Sequence, residues 1–310
     1  MAQSDIHITL IGIGTIGLSL AALHLTHLPS PSQLTLVDTR PDLATYIQSK
    51  LPPLLPPHKR ATISQIQLTN TIASGVSSPH TTIVQESGPE NLPFKLSLWA
   101  EVSKHAPSTA VFWTSTSGIP ASLQSSQLSE EDKRRLCVVH PFNPPHILPL
   151  LEIIPSPATA DSVVRWTMDF WKARGHQPVL VRKEITGFVA GRLAWALLRE
   201  AIQLVEMGVV GVEELDRVME TSMGPRWAYA GPFKSFHAGG GEGGFEGLMG
   251  NVGGTVQACW EGGGRVNMGG GWEGEVFRQV REAYGVPDLE ERDRVNRRVL
   301  EVVEEEKRRS

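Results

Sequence analysis

Three glycines near the start of the chain constrain it most. Gly12-Ile13-Gly14-Thr15-Ile16-Gly17 follows the apolar run Ile6 to Ile11, which reads as a buried strand, and opens Thr15 to His27, which reads as a helix. In that setting the first glycine allows the tight turn after the strand. The second lets the backbone approach a pyrophosphate, and the third lets helix pack on strand. The phosphates then meet the positive end of the helix. A lone G-x-G-x-x-G arises by chance in glycine-containing loops. Here, however, a second strand, Leu34 to Val37, follows and ends at Asp38, about 20 residues beyond the last glycine, as the fingerprint requires. Residues Gly12, Ile13, Gly14, Thr15, Ile16 and Gly17 are therefore expected to hold a dinucleotide. Asp38 would accept hydrogen bonds from the adenosine ribose and repel a 2′-phosphate, which favours NAD over NADP. Arg40 pulls the other way, since it could pair with such a phosphate.

The first half goes on alternating short apolar runs with helical stretches, the mark of a βαβ architecture. Further strands are expected at Thr82 to Val84, Ala110 to Thr114, Leu136 to Val139, Leu150 to Ile154 and Val179 to Val181, with an amphipathic helix over Asp161 to Arg174. The prolines of Leu51 to His58 end the helix before them, because proline lacks the amide hydrogen. After Arg182 the pattern turns helical, with Leu193, Leu197, Ala201 and Leu204 at spacings of three and four. Helices are expected over Gly187 to Met207, Val212 to Thr221 and Asp288 to Arg309. The stretch Gly231 to Gly274 holds more than half of the 30 glycines and predicts irregular, mobile backbone. The reading is an α/β chain: a Rossmann-like domain with a mostly parallel sheet over 1–182, then an all-helical domain over 183–310.

Composition excludes several classes of function. The 310 residues are 40% hydrophobic, enough for a substantial core. With 29 basic against 33 acidic side chains, a net charge of −4 argues against nucleic acid as the main ligand, which would favour a basic face. Cys137 and Cys259 are the two cysteines, too few for a disulfide framework or a cysteine metal cluster, and no metal is expected. The apolar segment Ile6 to Leu28 starts beside Asp5 rather than basic residues, unlike a secretory leader. No run of about 18 apolar residues suggests a membrane span. A soluble cytoplasmic protein is the expectation.

A second cluster lies at the end of the first half. His140-Pro141-Phe142-Asn143-Pro144-Pro145 follows the strand Leu136 to Val139, and Glu152 lies in the next apolar run. A histidine at a strand end can remove a hydroxyl proton while hydride leaves the same carbon. A carboxylate behind it would fix the imidazole tautomer. Thr114-Ser115-Thr116-Ser117-Gly118 offers hydroxyls after another strand. A satisfied structural histidine remains the alternative.

With these residues, and with KEITGFVAGRLAWALLREAIQLVEMGVV and MGPRWAYAGPF further on, the sequence resembles the 3-hydroxyacyl-CoA dehydrogenase superfamily. Within it the resemblance is to the lambda-crystallin and L-gulonate 3-dehydrogenase branch, close to L-carnitine dehydrogenase, over about the first 240 residues. It implies a Rossmann-like domain, NAD as cofactor, a helical domain that builds a homodimer, and catalysis by Ser117, His140 and Glu152. Ser117 would hydrogen-bond the reacting oxygen, His140 would be the general base and Glu152 its partner. Glu90, Lys95, Ser117 and Asn143 fall at the family's cofactor positions. A solvated helix start is the alternative for Glu90 and Lys95. One position departs: Gly191 stands where the hydroxyacyl-CoA enzymes carry an asparagine in G-F-x-x-N-R-L, so that side chain's contribution is lost and space opens beside the substrate.

Arg226, in MGPRWAYAGPF, bears on the substrate. The resemblance places a similar arginine in the gulonate and carnitine enzymes but not in the acyl-CoA branch. A free carboxylate suits a bidentate guanidinium, whereas a thioester carries no such charge. Arg226 is therefore expected to bind the carboxylate of a small 3-hydroxy acid, with an interdomain or dimer salt bridge as the alternative. Trp195, Trp227 and Tyr229 could form an aromatic wall for a quaternary ammonium, or belong to a core. The expected activity is NAD-dependent oxidation of the 3-hydroxyl of such an acid. The rival readings are oxidation of a CoA thioester and a non-catalytic NAD(H)-binding protein.

Overall fold

The run Ile8–Ile11 can be apolar on both faces because the strand it forms is covered on both. In the computed structural model, which describes residues 6–309, this strand (β1) lies inside an eight-stranded sheet. The others are β2 (Leu34–Val37), β3 (Gln67–Thr69), β4 (Ile83–Glu86), β5 (Val111–Thr114), β6 (Leu136–Pro141), β7 (Leu150–Pro155) and β8 (Gln177–Leu180), in the order β3-β2-β1-β4-β5-β6-β7-β8. All neighbours run parallel except β6 and β7. The order reverses between β1 and β4, and such a switch point opens a crevice at the carboxyl ends of the strands.

Alternate side chains go to opposite faces and fill two apolar cores. Leu10, Leu36, Trp113, Val139 and Ile153 join one cluster with Leu20 and Trp171. Ile11, Val37, Phe112, Val138 and Ile154 join the other with Trp99 and Phe188. Each fully buried aliphatic side chain contributes roughly 1.5–3 kcal/mol relative to exposure.

The chain divides into two compact units, Met1–Arg192 and Leu193–Ser310, and the helix Ala190–Glu206 contains the boundary. The second unit is helical, with Val212–Thr221, Met223–Tyr229, Pro232–Gly239, Gly244–Gly262, Glu273–Tyr284 and Leu289–Arg309. Within it Tyr284 Oη donates to Asp216 at 2.6 Å, and the Val212 amide donates to Gln279 at 3.0 Å. No helix among the described residues is long and apolar enough to cross a membrane.

Two expectations are corrected. The glycine-rich stretch is largely helical rather than irregular. Glycine lowers helix propensity by about 1 kcal/mol per residue but does not forbid the helix, and tertiary packing overrides it. The absent side chains also let the chain fold back tightly: a Cβ on Gly240 would meet the Gly244 carbonyl at 1.7 Å. Phe233 then packs edge-on against Phe245 with ring centroids 6.0 Å apart. The second correction concerns His140 and Pro141, which lie within β6 rather than after it, because antiparallel pairing with β7 extends the strand to the Pro141–Leu151 pair.

Candidate functional site

The glycine loop shows why each glycine is needed. Gly12 has φ 88°, and a Cβ there would meet the Gly88 amide nitrogen at 2.7 Å. A Cβ on Gly17 would meet the Gly12 carbonyl oxygen at 2.0 Å, so only glycine lets the helix Thr15–His27 start this close. Beside Gly14 nothing lies within 4 Å. The turn is thus closed behind and open in front, a cradle that fits a pyrophosphate at the helix start.

Asp38 sits at the carboxyl end of β2. Its Oδ2 accepts the Ile13 amide at 2.7 Å, and its Oδ1 accepts the amide and Nε of Arg40 at 3.0 and 3.3 Å. Partial burial pushes this carboxyl up, but the two amides and the Arg40 guanidinium outweigh it and hold Asp38 below the usual carboxylate range. Arg40 lies over the Tyr46 ring, 3.6 Å from its centre. Asp38 borders a cavity of about 480 Å³ lined also by Gly12, Val37, Ile72, Gly88 and Phe94, mostly apolar and within the volume range of a small-ligand site.

Glu90, Lys95 and Ser117 are brought together, around a residue that sequence reasoning missed. Glu86 ends β4 fully buried, and both its oxygens accept from Lys95 Nζ, at 2.8 and 2.9 Å. It also accepts the Gly88 amide at 2.7 Å and the Thr114 hydroxyl at 2.8 Å. Burial raises the Glu86 carboxyl, with Lys95, Thr114 and Gly88 opposing. Lys95 is itself fully buried, and its ammonium also reaches Glu90 at 3.7 Å. Glu90 Oε1 in turn accepts the Thr116 hydroxyl at 2.5 Å and the amides of Ser117 and Gly118 at 3.1 and 3.0 Å. Ser117 itself is exposed. The loops after β4 and β5 are thereby tied into one network. A glutamate closing the strand-like run Thr82-Ile83-Val84-Gln85 was the available signal, since a carboxylate on a central parallel strand must find partners.

His140 and Glu152 face each other directly across β6 and β7. His140 Nδ1 lies 2.8 Å from Glu152 Oε2, and both side chains are buried. Glu152 Oε1 accepts the amides of Val189 and Ala190 at 2.8 and 3.0 Å. Burial pushes the Glu152 carboxyl up. The bond to His140 and the two amides outweigh that and hold it below its ordinary range. An ionised carboxylate can only accept, so Nδ1 carries the proton of that bond. Asn143 is exposed in the loop that follows, and that loop is anchored to the helix Thr15–His27: Ser19 Oγ lies 2.7 Å from His146 Nδ1. Thus the Gly12 turn, Asp38, Gly88, Ser117 and His140 all follow or end parallel strands at one edge of the sheet.

Arg226 lies in the second unit, exposed on the helix Met223–Tyr229. Trp195, Trp227 and Tyr229 are 64%, 38% and 43% exposed, and Lys234 Nζ already lies over the Tyr229 ring, 4.7 Å from its centre. Among the described residues no group of three or more His, Cys, Asp or Glu could hold a metal ion.

Residues 7–185 match the family described as 3-hydroxyacyl-CoA dehydrogenase, NAD binding domain, and 187–259 match its C-terminal domain. A 3-hydroxyacyl-CoA dehydrogenase of Gibberella moniliformis is 37% identical over 201 residues, 64% of this chain and 61% of that protein. An L-carnitine dehydrogenase of Streptomyces griseus is 32% identical over 266 residues, 84% of this chain and 77% of that protein. This chain thus spans roughly three-fifths to three-quarters of the length of these two relatives. Among solved structures, a 5-formyl-3-hydroxy-2-methylpyridine 4-carboxylic acid 5-dehydrogenase described as an NAD+ dependent dismutase superposes with a TM-score of 0.75. It is 24% identical, and the match covers 96% of this chain and 98% of that one. A 3-hydroxyacyl-CoA dehydrogenase from Archaeoglobus fulgidus gives 0.61 at 24% identity, covering 76% of this chain and 78% of that one. The structural likenesses speak for the fold. With the family matches over most of its length, the chain belongs to the 3-hydroxyacyl-CoA dehydrogenase family, and its first unit is that family's NAD-binding domain.

Proposed function

We propose that this protein is an NAD-dependent dehydrogenase that oxidises the 3-hydroxyl of a small free 3-hydroxy acid, L-gulonate- or L-carnitine-like, to the 3-oxo acid. The observation that carries the reading is the buried His140–Glu152 pair, in which Nδ1 and not Nε2 of the imidazole meets the carboxylate. His140 Nε2 takes the hydroxyl proton as general base, and Glu152 stabilises the imidazolium that results. Ser117 aligns the reacting oxygen, and Glu90 holds the Ser117 backbone in place. NAD, when bound, would supply the acceptor for the hydride of the same carbon. The Gly12–Gly17 loop would hold its pyrophosphate, Asp38 the adenosine ribose, and Glu90, Lys95, Ser117 and Asn143 the nicotinamide half, with Lys95 acting from behind Glu86 and Glu90.

Arg226 pairs with the substrate carboxylate. Curated relatives named L-carnitine dehydrogenase, from Streptomyces and other bacteria, support a free acid over a thioester. The protein acts as a homodimer: Leu193, Trp195, Leu197 and Leu198 stand 39–64% exposed on one helix, an apolar surface suited to a second copy. Its two free cysteines suit the reducing cytoplasm.

The test is NADH formation with L-gulonate, L-carnitine, L-3-hydroxybutyrate and 3-hydroxybutyryl-CoA side by side. Turnover of a free acid and not of the thioester is the expected result. Thioester turnover would move the protein to the acyl-CoA branch, and silence on all four would favour a binding role.

A further inference from the structure

The linker between β8 and the helix Ala190–Glu206 carries an unusual backbone. Phe188 has φ 49°, the sole non-glycine residue with positive φ among the described residues, and Gly187 before it has φ 77°. Side chains rarely adopt this region, so a phenylalanine there persists only when its surroundings over-determine it. Phe188 is fully buried. Its ring centroid lies 5.3 Å from that of His140, tilted by 56°, and its core neighbours include Val138 and Ile154.

The left-handed pair has a second effect. It turns the chain so that the next two amides, Val189 and Ala190, point at Glu152 Oε1. These are donors at the start of a helix, where amides lack partners of their own and the helix dipole favours negative charge. We infer that Phe188 is a positioning residue for the His140–Glu152 pair: its ring seals the imidazole from water while its backbone delivers two amides to the carboxylate.

The division of labour is legible in the geometry. The sheet register alone sets His140 opposite Glu152, so the pair itself does not need Phe188. What Phe188 adds is the outer half of the carboxylate's environment. Two amides draw charge from Oε1, so Glu152 stays ionised and the proton arriving from substrate remains on the imidazole. The titratable group bonded to Glu152 is His140, on the facing strand; β8 sets Val179 opposite it, and Phe188, Val189 and Ala190 are uncharged. Arg192, the next charged residue along the chain, gives its amide to the Gly187 carbonyl at 3.1 Å.

This inference rests on the reading of His140 as the base, and the experiment separates the two. Phe188→Leu keeps apolar volume but not the aromatic face; Phe188→Gly relieves the backbone but removes the ring. In both, water admitted to the imidazole favours its protonated form, and the amides, no longer pinned, draw less charge from Glu152 Oε1. The acidic limb of the kcat/KM profile for NAD-linked oxidation should move up by about half a pH unit or more. The kcat should fall about tenfold, with KM for NAD nearly unchanged. Carbon-13 NMR of the Glu152 carboxyl, which needs no turnover, should show its titration moving up as well. Unchanged limb and carboxyl titration, with losses of activity that only follow a lowered Tm, would overturn the inference. If Phe188→Gly does not fold, Phe188→Leu carries the same readouts. Retained activity in His140→Gln would instead sink the base assignment, and the carboxyl titration would still decide the role of Phe188.

Discussion

The two units solve the problem of apolar surface in opposite ways. The first encloses it: Leu10, Leu34, Leu36, Ile83, Phe112 and Trp113 are all fully buried between sheet and helices. In the second, the buried hydrophobic residues among those described are Ile202, Val205 and Trp272, while Leu193, Trp195, Phe233 and Trp260 stand 61–77% exposed. A sheet covered on both faces is complete in one chain. A set of helices with outward apolar faces is short of cover, which is why a second copy belongs in the proposal above. The proposed function separates tasks along the same line, placing the chemistry on the enclosed unit and the choice of substrate with Arg226 on the open one.

That division can be broken by mutation. His140→Gln should lower kcat about 10²–10⁴-fold while leaving the affinity for NAD intact, because the base is lost and the glycine loop is untouched. Initial-rate kinetics beside NADH titration would check this, and a weakened NADH affinity would mean the histidine holds the cofactor instead. Leu36→Ala should cost about 2–5 kcal/mol in chemical denaturation, since it leaves a cavity in a closed core. Arg226→Met should raise KM for a free acid about tenfold or more and barely alter kcat. A KM that stays put would return Arg226 to a structural ion pair.

Acid should expose the enclosed unit next. Burial pushes His24 down to about 3 and His176 to about 4, against an ordinary value near 6.5. The unfolded chain therefore takes up protons that the folded one refuses. Stability is intact above pH 6.5 and falls as pH drops from there toward 3, by as much as about 1.4 kcal/mol per pH unit for each group. Denaturation midpoints at several pH values would reveal the slope, and His24→Gln should flatten it. The smallest effect belongs to the open unit: Leu198→Ala, at 47% exposure, should change monomer stability by less than about 0.5 kcal/mol. A loss comparable to that of Leu36→Ala would erase the contrast, unless it appeared only at concentrations where the protein is dimeric.

The helix Thr15–His27 and the strand Leu34–Val37 were legible to the residue, because a glycine turn, an apolar period and an acidic stop agree there. Pairing of β6 with β7 was not, since register depends on which strand arrives opposite. Glu86 escaped notice because one charged residue at the end of an apolar run looks like a strand terminus. Its burial follows from Lys95, nine positions on, folding back beneath it. The helices Pro232–Gly239 and Gly244–Gly262 were hidden by their glycines: propensity is a local quantity of about 1 kcal/mol per residue, and packing exceeded it.

By itself the sequence determined the class of fold and the cofactor loop, because the spacing of glycines, apolar runs and an aspartate is a property of the chain's own covalent order. Only the tertiary structure decided that Glu152 is shared between an imidazole and two amides more than thirty residues away. It also decided that a phenylalanine occupies a glycine's backbone beside His140. Such contacts depend on which distant groups compete for one buried carboxylate, and that competition is settled only when the strands and the linker are packed together.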